Sequence, residues 1–213
     1  NDTVKSGTWE QCPDWCYWDY PLIELAGKTY GLLGCGNIGI HTAAIASALG
    51  MHVIAYDMRQ RDEALQLGVE YVSLDELFAR SDVLGLQMPL FPFNTGIINR
   101  ENIAKMKDGV LLVNTARGTL IDPDALVTGL ECGKIGGAGL DVIEDETGIC
   151  YYNRMGEAIP NRELNLLRSY PNVILSPHTA FYTDVNVANM VKSPFEALDA
   201  YAHGRPYAGE VQL

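Results

Sequence analysis

A glycine pattern constrains the fold of this chain more than any other feature. Gly34, Gly36 and Gly39 form G-x-G-x-x-G directly after a short apolar run, and an alanine-rich segment, residues 40–49, follows them. Such glycines allow a tight turn from strand to helix, a close approach of backbone to a pyrophosphate, and close helix-on-strand packing. Because similar turns also occur in α/β proteins that bind nothing there, the pattern alone leaves both readings open.

A second apolar run supports the dinucleotide interpretation. Residues 52–56 form this run, and Asp57 follows it about twenty residues beyond the glycines. A carboxylate at this strand end accepts hydrogen bonds from the adenosine ribose and repels a 2′-phosphate, which predicts NAD rather than NADP. Arg59 and Arg61 are the competing detail, since they could accommodate a phosphate, but Asp57 occupies the strand-end position.

Apolar runs and helical segments alternate along the rest of the chain. The pattern predicts strands at residues 29–34, 52–56, 70–72, 83–87, 110–114, 134–142 and 173–175. It predicts helices at residues 40–49, 61–67, 73–80, 100–106, 123–131 and 184–202. Strands separated by helices indicate an α/β protein with a Rossmann-type, doubly wound parallel sheet in a single domain.

Composition argues against several classes of partner. A net charge of −12 argues against a nucleic-acid or anionic-membrane surface, which would need clustered Lys and Arg. No apolar segment reaches the roughly eighteen residues of a membrane helix. The five cysteines lack the spacing of a metal site, so they are predicted to be reduced, mostly core thiols of a cytoplasmic protein. Cys12 and Cys16 could alternatively form an oxidisable pair.

The first residues are unusual in two ways. The chain opens at Asn1 rather than Met, as if cut from something longer, and residues 2–11 could be the end of a helix. Aromatic side chains then crowd into a dozen residues: Trp9, Trp15, Tyr17, Trp18 and Tyr20. This density needs a surface to bury against, which is either the chain's own core or a contact with another domain or subunit.

Charged side chains follow three of the later predicted strands. Arg117 comes after residues 110–114, Asp141 and the acidic residues 144–146 end the next strand, and His178 follows the last. Separately, these residues have ordinary explanations as a surface ion pair, a solvated acidic loop and a structural histidine. Because the carboxyl ends of parallel strands meet at one edge, they jointly predict an active site beside the dinucleotide.

The chain resembles the D-isomer-specific 2-hydroxyacid dehydrogenases over nearly its whole length. The resemblance rests on the glycine turn with Asp57, on residues 88–90 (Met-Pro-Leu) with Thr95, on residues 114–118 (Asn-Thr-Ala-Arg-Gly), on residues 140–142 (Leu-Asp-Val) followed by Glu146, and on Pro177-His178. It implies hydride transfer between a nicotinamide and C2 of a 2-hydroxy or 2-keto acid.

The resemblance also implies a role for each site residue. Arg117 would grip the substrate carboxylate and keto oxygen, His178 would exchange the proton, and Glu146 would favour the imidazolium. The implied cofactor is NAD(H), with no metal, and the implied contacts are Gly34, Gly36, Asn37, Ile38, Gly39, Asp57, Met88, Pro89, Thr95, Thr115, Ala116, Arg117, Asp141, His178 and Ala180. Asn37 and Ile38 would lie on the pyrophosphate, and Thr115, Asp141 and Ala180 near the nicotinamide.

Different segments resemble different subfamilies. Residues 90–92 and 96–103 and the Trp-rich opening look like glycerate (hydroxypyruvate) dehydrogenases, whereas residues 147–152 and 178–183 look like D-lactate and D-2-hydroxyisocaproate dehydrogenases. The second group lies nearer the substrate and is favoured. Phe181, Tyr182, Tyr151 and Tyr152 either favour an apolar or aromatic 2-keto acid or merely pack the loop.

Family members carry a further segment ahead of the point where this chain starts, and it forms a second lobe over the substrate. We therefore expect residues 1–28 to be an interdomain or oligomer-contact helix and lead-in, residues 29–196 the NAD-binding domain, and residues 197–213 a remnant of the substrate lobe. Without that lobe the chain should bind NAD(H) but turn over poorly, and its exposed apolar surface suggests a homodimer. A cofactor-sensing interaction module of the corepressor type is the alternative from another class. A phosphoglycerate-type enzyme would want extra basic residues that are not visible.

Overall fold

The fold is built on a sheet of seven parallel strands. The computed structural model describes residues 2–18, 22–150, 153–207 and 209. Its strands are β1 (Thr29–Leu33), β2 (His52–Tyr56), β3 (Glu70–Tyr71), β4 (Val83–Leu86), β5 (Val110–Asn114), β6 (Ile135–Leu140) and β7 (Val173–Leu175). They lie in the order β3-β2-β1-β4-β5-β6-β7, and all neighbours are parallel. The predicted Rossmann-type sheet is confirmed.

Eight helices connect or flank these strands. They are α1 (Asp2–Lys5), α2 (Asn37–Ala48), α3 (Asp62–Gln66), α4 (Leu74–Arg80), α5 (Arg100–Lys105), α6 (Pro123–Glu131), α7 (Arg162–Leu167) and α8 (Asp184–Ala202). Two short 3₁₀ turns, Gly118–Leu120 and Glu146–Gly148, follow β5 and β6. Side-chain caps start several helices: Ser73 forms a capping box with Glu76, and Asp122 caps α6 ahead of Pro123.

The sheet is buried on both faces, which the doubly wound fold requires. Alternate residues of β1 and β2 enter different apolar clusters, since Leu32 and Val53 pack with alanines of α2 and α3. Leu33 and Ile54 pack instead with residues of α4, α5 and α6. The clusters reach the carboxyl ends of β1, β4 and β6 through Leu33, Leu86 and Leu140, and the loops that follow these strands lie at that edge.

Some element boundaries differ from the sequence predictions. Helix α2 begins at Asn37, three residues before the predicted start, because Gly36 is its N-cap and Gly39 already lies in its first turn. Helix α7 was not predicted at all. The predicted helix end at residues 2–11 reduces to α1, which spans only Asp2–Lys5.

The aromatic opening does not pack on the chain's own core. Trp9, Trp15 and Trp18 are 53%, 83% and 74% exposed, so that alternative is wrong for the three tryptophans. Tyr17 is half-buried. Tyr20 lies outside the described residues.

The cysteines correct a second expectation. All five are unpaired thiols, but only Cys35 is buried, so the prediction of mostly core thiols is wrong. Cys12 and Cys16 are half-buried, and Cys132 and Cys150 are exposed. Within the described ranges, no helix combines the length and apolar character that a membrane span needs, and no cluster of His, Cys, Asp and Glu is arranged to hold a metal.

Candidate active site

The carboxyl ends of six strands form one row across the sheet. The pairing register aligns, in spatial order, Tyr56, Leu33, Leu86, Asn114, Leu140 and Leu175. Asp57, Gly34, Asp141 and Ser176 each come directly after a member of this row. Predicted site residues therefore lie along this edge of the sheet, with Gly34 and Asp57 in one half and Asp141 in the other.

The glycine turn leaves room for a pyrophosphate. A Cβ at Gly34, whose φ is +98°, would lie 2.8 Å from backbone atoms of residues 87 and 88, and one at Gly39 would lie 2.7 Å from the Gly34 carbonyl oxygen. A Cβ at Gly36 would instead meet nothing within 4 Å. Gly36 provides no side-chain cap for α2, so the first amides of that helix face open space beside Asn37 and Ile38. Backbone amides at an uncapped helix start suit a dinucleotide phosphate, and these residues fit the implied cofactor.

Asp57 is fixed at the end of β2. Its Oδ2 accepts a hydrogen bond from the Cys35 amide at 2.7 Å, and its Oδ1 accepts one from the Arg59 amide at 3.0 Å. The Arg61 guanidinium pairs with Glu63 at 3.4 Å and donates to the Asn37 side chain at 3.3 Å. The competing cation is thus partly neutralised, which supports the acidic character of this end of the site.

A cavity of about 650 Å³ adjoins Asp57 and brings four of the predicted cofactor residues together. Asp57, Met88, Pro89 and Thr95 all line it. The intervening loop is shaped by Asn94, which is 2% exposed, accepts from the Phe91 amide at 2.7 Å and donates to the Pro89 carbonyl at 2.9 Å. Sequence reasoning missed Asn94.

The turn after β5 presents Arg117 to solvent. Buried Asn114 closes this turn, because its Oδ1 accepts from the Ala116 amide at 3.0 Å and its Nδ2 donates to the Arg117 carbonyl at 2.9 Å. Thr115 is exposed, Ala116 packs against the core, and the Arg117 guanidinium lies within ion-pair distance of no carboxylate among the described residues. A planar cation with its charge uncompensated by a neighbouring acid is suited to a carboxylate ligand.

Asp141 organises the loop after β7. Its Oδ1 accepts from the Ser176 hydroxyl at 2.6 Å and the Thr179 amide at 2.8 Å, and its Oδ2 accepts from the Ala180 amide at 2.8 Å. Burial would raise the pKa of Asp141, but these hydrogen bonds and the nearby His178 outweigh it and hold that pKa below its usual value. Asp141 therefore supports the loop as a carboxylate.

His178 and Glu146 form the direct contact of the site. The Nδ1 atom of His178 lies 2.9 Å from Oε1 of Glu146. His178 has a φ of +52°, uncommon for a residue other than glycine, and its amide donates to the carbonyl oxygens of Asp141 and Ser176. These two hydrogen bonds hold the left-handed conformation of the residue whose imidazole contacts Glu146.

Two aromatic rings extend from His178. The Phe181 ring is 6.5 Å from the imidazole in an edge-on arrangement, and Tyr182 is 6.0 Å from Phe181. Both are exposed, at 41% and 70%. Tyr151 and Tyr152 lie outside the described residues.

The structure groups the predicted residues into two sets. Asp141, Glu146 and His178 share the walls of a cavity of about 350 Å³, separate from the cavity beside Asp57. Arg117 lines neither cavity. The turn that follows Arg117 is the part of its loop that approaches Asp141, Glu146 and His178. Sequence reasoning missed Asn114 and Ser176, although an Asn at a strand end before a turn signals a side-chain clasp of this kind.

Known proteins resemble this chain in sequence and in structure. Residues 1–180 match the family described as D-isomer specific 2-hydroxyacid dehydrogenase, NAD binding domain. The hydroxypyruvate reductase of Blautia hydrogenotrophica is 43% identical over 206 residues, which cover 97% of this chain and 60% of the relative. The aromatic 2-oxoacid reductase of Clostridium sporogenes is 44% identical over 171 residues, which cover 80% of this chain and 51% of the relative.

A solved structure agrees over almost the whole chain. The crystal structure of a D-lactate dehydrogenase from Treponema pallidum superposes with a TM-score of 0.87 at 36% identity, covering 99% of this chain and 63% of that one. The chain thus spans about half to three-fifths of the length of the curated relatives named above.

Proposed function

Because the chain belongs to the D-isomer-specific 2-hydroxyacid dehydrogenase family, we propose that it is the NAD-binding part of an enzyme interconverting a 2-keto acid and its D-2-hydroxy acid. The observation that carries this proposal is the Glu146–His178 contact of 2.9 Å, at the same sheet edge as the Arg117 turn. NAD is the cofactor of the matched domain, and when bound it supplies or accepts the hydride.

The residues of this chain divide the remaining tasks. Arg117 binds the substrate carboxylate and orients the keto group, since its guanidinium is planar and permanently charged. His178 exchanges the proton with the substrate oxygen through Nε2, because Nδ1 is engaged by Glu146. Glu146 fixes the tautomer and the orientation of the imidazole. Asp141 positions His178 through the loop that it organises.

For the substrate we propose a 2-keto acid with an apolar or aromatic side chain. The support is the pair of exposed rings, Phe181 and Tyr182, that extends from His178. One relative is named for aromatic 2-oxoacids and another for hydroxypyruvate, so hydroxypyruvate is the competing substrate. Lactate-type and glycerate-type activities differ in the group at C3, and the same assay separates them.

The wider organisation is also a proposal. We assign residues 1–28 to an interdomain or subunit contact, 29–196 to the NAD-binding domain and 197–213 to the substrate lobe, although α8 runs unbroken across the boundary at 196. The exposed tryptophans and the exposed apolar residues of α8 support a homodimer. Five unpaired cysteines support a reducing, cytoplasmic environment.

The test is the decay of NADH absorbance with pyruvate, phenylpyruvate or hydroxypyruvate, together with NADH fluorescence to measure binding. Both assays are run on this chain and on a form extended at its N-terminus with the preceding segment of a longer relative, the hydroxypyruvate reductase of Blautia hydrogenotrophica. We expect both forms to bind NADH and the extended form to oxidise it, fastest with phenylpyruvate.

Two results would contradict the proposal. If both forms bind NADH and neither consumes it with any 2-keto acid, the Arg117, Glu146 and His178 set is not catalytic and a cofactor-sensing role takes its place. If hydroxypyruvate is the preferred substrate, the family assignment stands but the aromatic preference is wrong.

A further inference from the structure

Two turns of the candidate active site meet at one peptide bond. A Cβ at Gly118, next to Arg117, would lie 2.0 Å from the carbonyl carbon of Ile143 and 2.5 Å from the amide nitrogen of Glu144. No side chain fits there, so the Arg117 turn rests directly on the Ile143–Glu144 peptide. Glu146, which contacts His178, lies two residues further along. Any movement of this peptide therefore changes the spacing between Arg117 and the Glu146–His178 pair.

Asn161 holds the adjoining peptide, between Glu144 and Asp145. Its Nδ2 donates a hydrogen bond to the Glu144 carbonyl at 3.1 Å, while its Oδ1 accepts one from the Leu164 amide at 2.8 Å and so caps α7. The two bonds fix both ends of the side-chain amide. One side chain thus ties the start of α7 to the loop that carries Glu146.

Helix α7, which Asn161 caps, is itself packed against the rest of the domain. Leu164 and Leu167 are 9% and 1% exposed, and Arg162 pairs with Asp124 of α6 at 3.1 Å. Glu163, the residue between Arg162 and Leu164, lines one cavity together with Glu144, Asp145 and Asn161. The loop between β6 and α7 is therefore anchored at the one residue on which the Arg117 turn rests.

We propose that Asn161 is a positioning residue for the reaction proposed above, because its side-chain Nδ2 holds the carbonyl of Glu144, the residue whose amide side supports the Arg117 turn and whose chain continues to Glu146. This inference rests on the proposed function for its effect on turnover. Its effect on geometry stands on the hydrogen bonds themselves. Asn161 touches no reacting atom, so it acts through Glu144.

The competing explanation is that Asn161 is a helix cap and nothing more. Asn161→Asp separates the two roles, since aspartate caps helices as well as asparagine but offers no N–H to the Glu144 carbonyl. Asn161→Ser also keeps a capping oxygen and adds no charge, but its shorter side chain has no amide N–H to place at the Glu144 carbonyl. If Asn161→Asp fails to fold, Asn161→Ser decides alone.

Asn165 supplies a matched control on the same helix. Its Nδ2 donates to the Ile159 carbonyl at 3.0 Å, and the side chain is exposed. Asn165→Asp therefore loses a bond of the same kind and adds the same charge, without touching Glu144. A loss of function confined to the residue 161 variants would trace to the Glu144 contact.

Two readouts follow the consequences. In this chain, proton NMR monitors the downfield resonance of the His178 Nδ1–H bonded to Glu146, and we expect it to be lost or markedly shifted in both residue 161 variants. In the form that turns over, we expect kcat to fall about tenfold and KM for the keto acid to rise, with NADH affinity unchanged, since a displaced reacting group costs rate. The thermal midpoint should stay close to that of Asn165→Asp.

The proposal is overturned if the residue 161 variants keep the His178 resonance and the kinetic constants of Asn165→Asp, because Asn161 would then be a cap only. It is also overturned if the resonance changes only together with the thermal midpoint. Failure of the proposed function looks different: the parent then consumes no NADH with any keto acid, while the NMR comparison still reports on the Glu144 contact.

Discussion

His178 combines an uncommon backbone conformation with a fixed imidazole, and its substitution separates chemistry from cofactor binding. We expect His178→Ala to abolish turnover in the extended form while NADH affinity stays within a few-fold, because the amides at Gly36 and the carboxylate of Asp57 are untouched. The measurements are NADH oxidation and a fluorescence titration. His52→Ala, at the exposed start of β2, is the control. Equal loss of turnover and binding would contradict the assigned role.

Glu163 predicts an unusual pH dependence. Burial, with a smaller contribution from the Glu144 carboxylate, raises the pKa of Glu163 from its ordinary 4.5 to about 7. The folded chain therefore binds more protons than the unfolded chain between these two values. Stability is lost as pH rises through that window and stays at the lower level above it.

We expect Glu163→Gln to remove this loss, because glutamine stays neutral and is close to glutamate in size and shape. The variant should exceed the parent by about 2–3 kcal/mol in unfolding free energy at pH 8 and match it near pH 4. Urea denaturation at both pH values measures the difference. Glu101→Gln, on the exposed face of α5, should change neither value, and an unchanged Glu163→Gln at pH 8 would show that the ionised carboxyl carries no penalty.

At the scale of elements, the turn from β1 to α2 makes opposite predictions for two of its glycines. A Cβ at Gly36 meets open space, so Gly36→Ala should fold with unchanged stability but bind NADH at least tenfold more weakly, because the methyl group enters the pyrophosphate space. Gly34→Ala should instead destabilise the fold by about 2 kcal/mol or more, since its φ is +98° and backbone atoms lie 2.8 Å away. Thermal unfolding and NADH titration distinguish the two. If Gly36→Ala keeps full NADH affinity, the pyrophosphate does not bind beside Gly36.

Local sequence signals explain why most elements were predictable. The apolar runs at β1, β2, β4 and β5 are continuous, as expected for strands buried on both faces, and glycine, Ser73 and Asp122 mark the adjoining turns and caps. Helix α7 was missed because it follows a long polar stretch without sustained apolar periodicity. Its signal is Asn161 followed by Leu164 and Leu167 at three-residue spacing.

The sequence was enough to predict which residues form the candidate site, but not which contacts they make with one another. Strand ends bring Arg117, Asp141 and His178 to one edge by topology alone, and the family resemblance supplied Glu146. The close approach of Gly118 to the Ile143–Glu144 peptide joins segments distant in sequence, so no local sequence pattern predicts it. The left-handed conformation of His178 was equally absent from any local pattern, because one of the hydrogen bonds of its amide is to the carbonyl of Asp141, which is distant in sequence.

At the scale of the whole molecule, α8 exposes an apolar side. Val191, Phe195 and Leu198 follow one another at spacings of four and three residues and are 57%, 68% and 64% exposed. We expect the chain to self-associate, and replacement of all three by serine to yield a monomer that still binds NADH. Sedimentation velocity at several concentrations measures this. The control removes the exposed Lys192–Glu196 ion pair of the same helix, and a parent chain that stays monomeric throughout would contradict the expectation.

The strand order assigns the two specificities of the proposed enzyme to different territories. Strands β3, β2, β1 and β4 carry the glycine turn and Asp57, whereas β5, β6 and β7 carry Arg117, Asp141 and His178, and within the sheet the two groups meet at the β4–β5 pairing. Cofactor choice can therefore drift, or be redesigned, through one half of the sheet while the proton-transfer apparatus in the other half is inherited intact. The cofactor specificity and the keto-acid specificity of such a chain can therefore change in separate evolutionary steps.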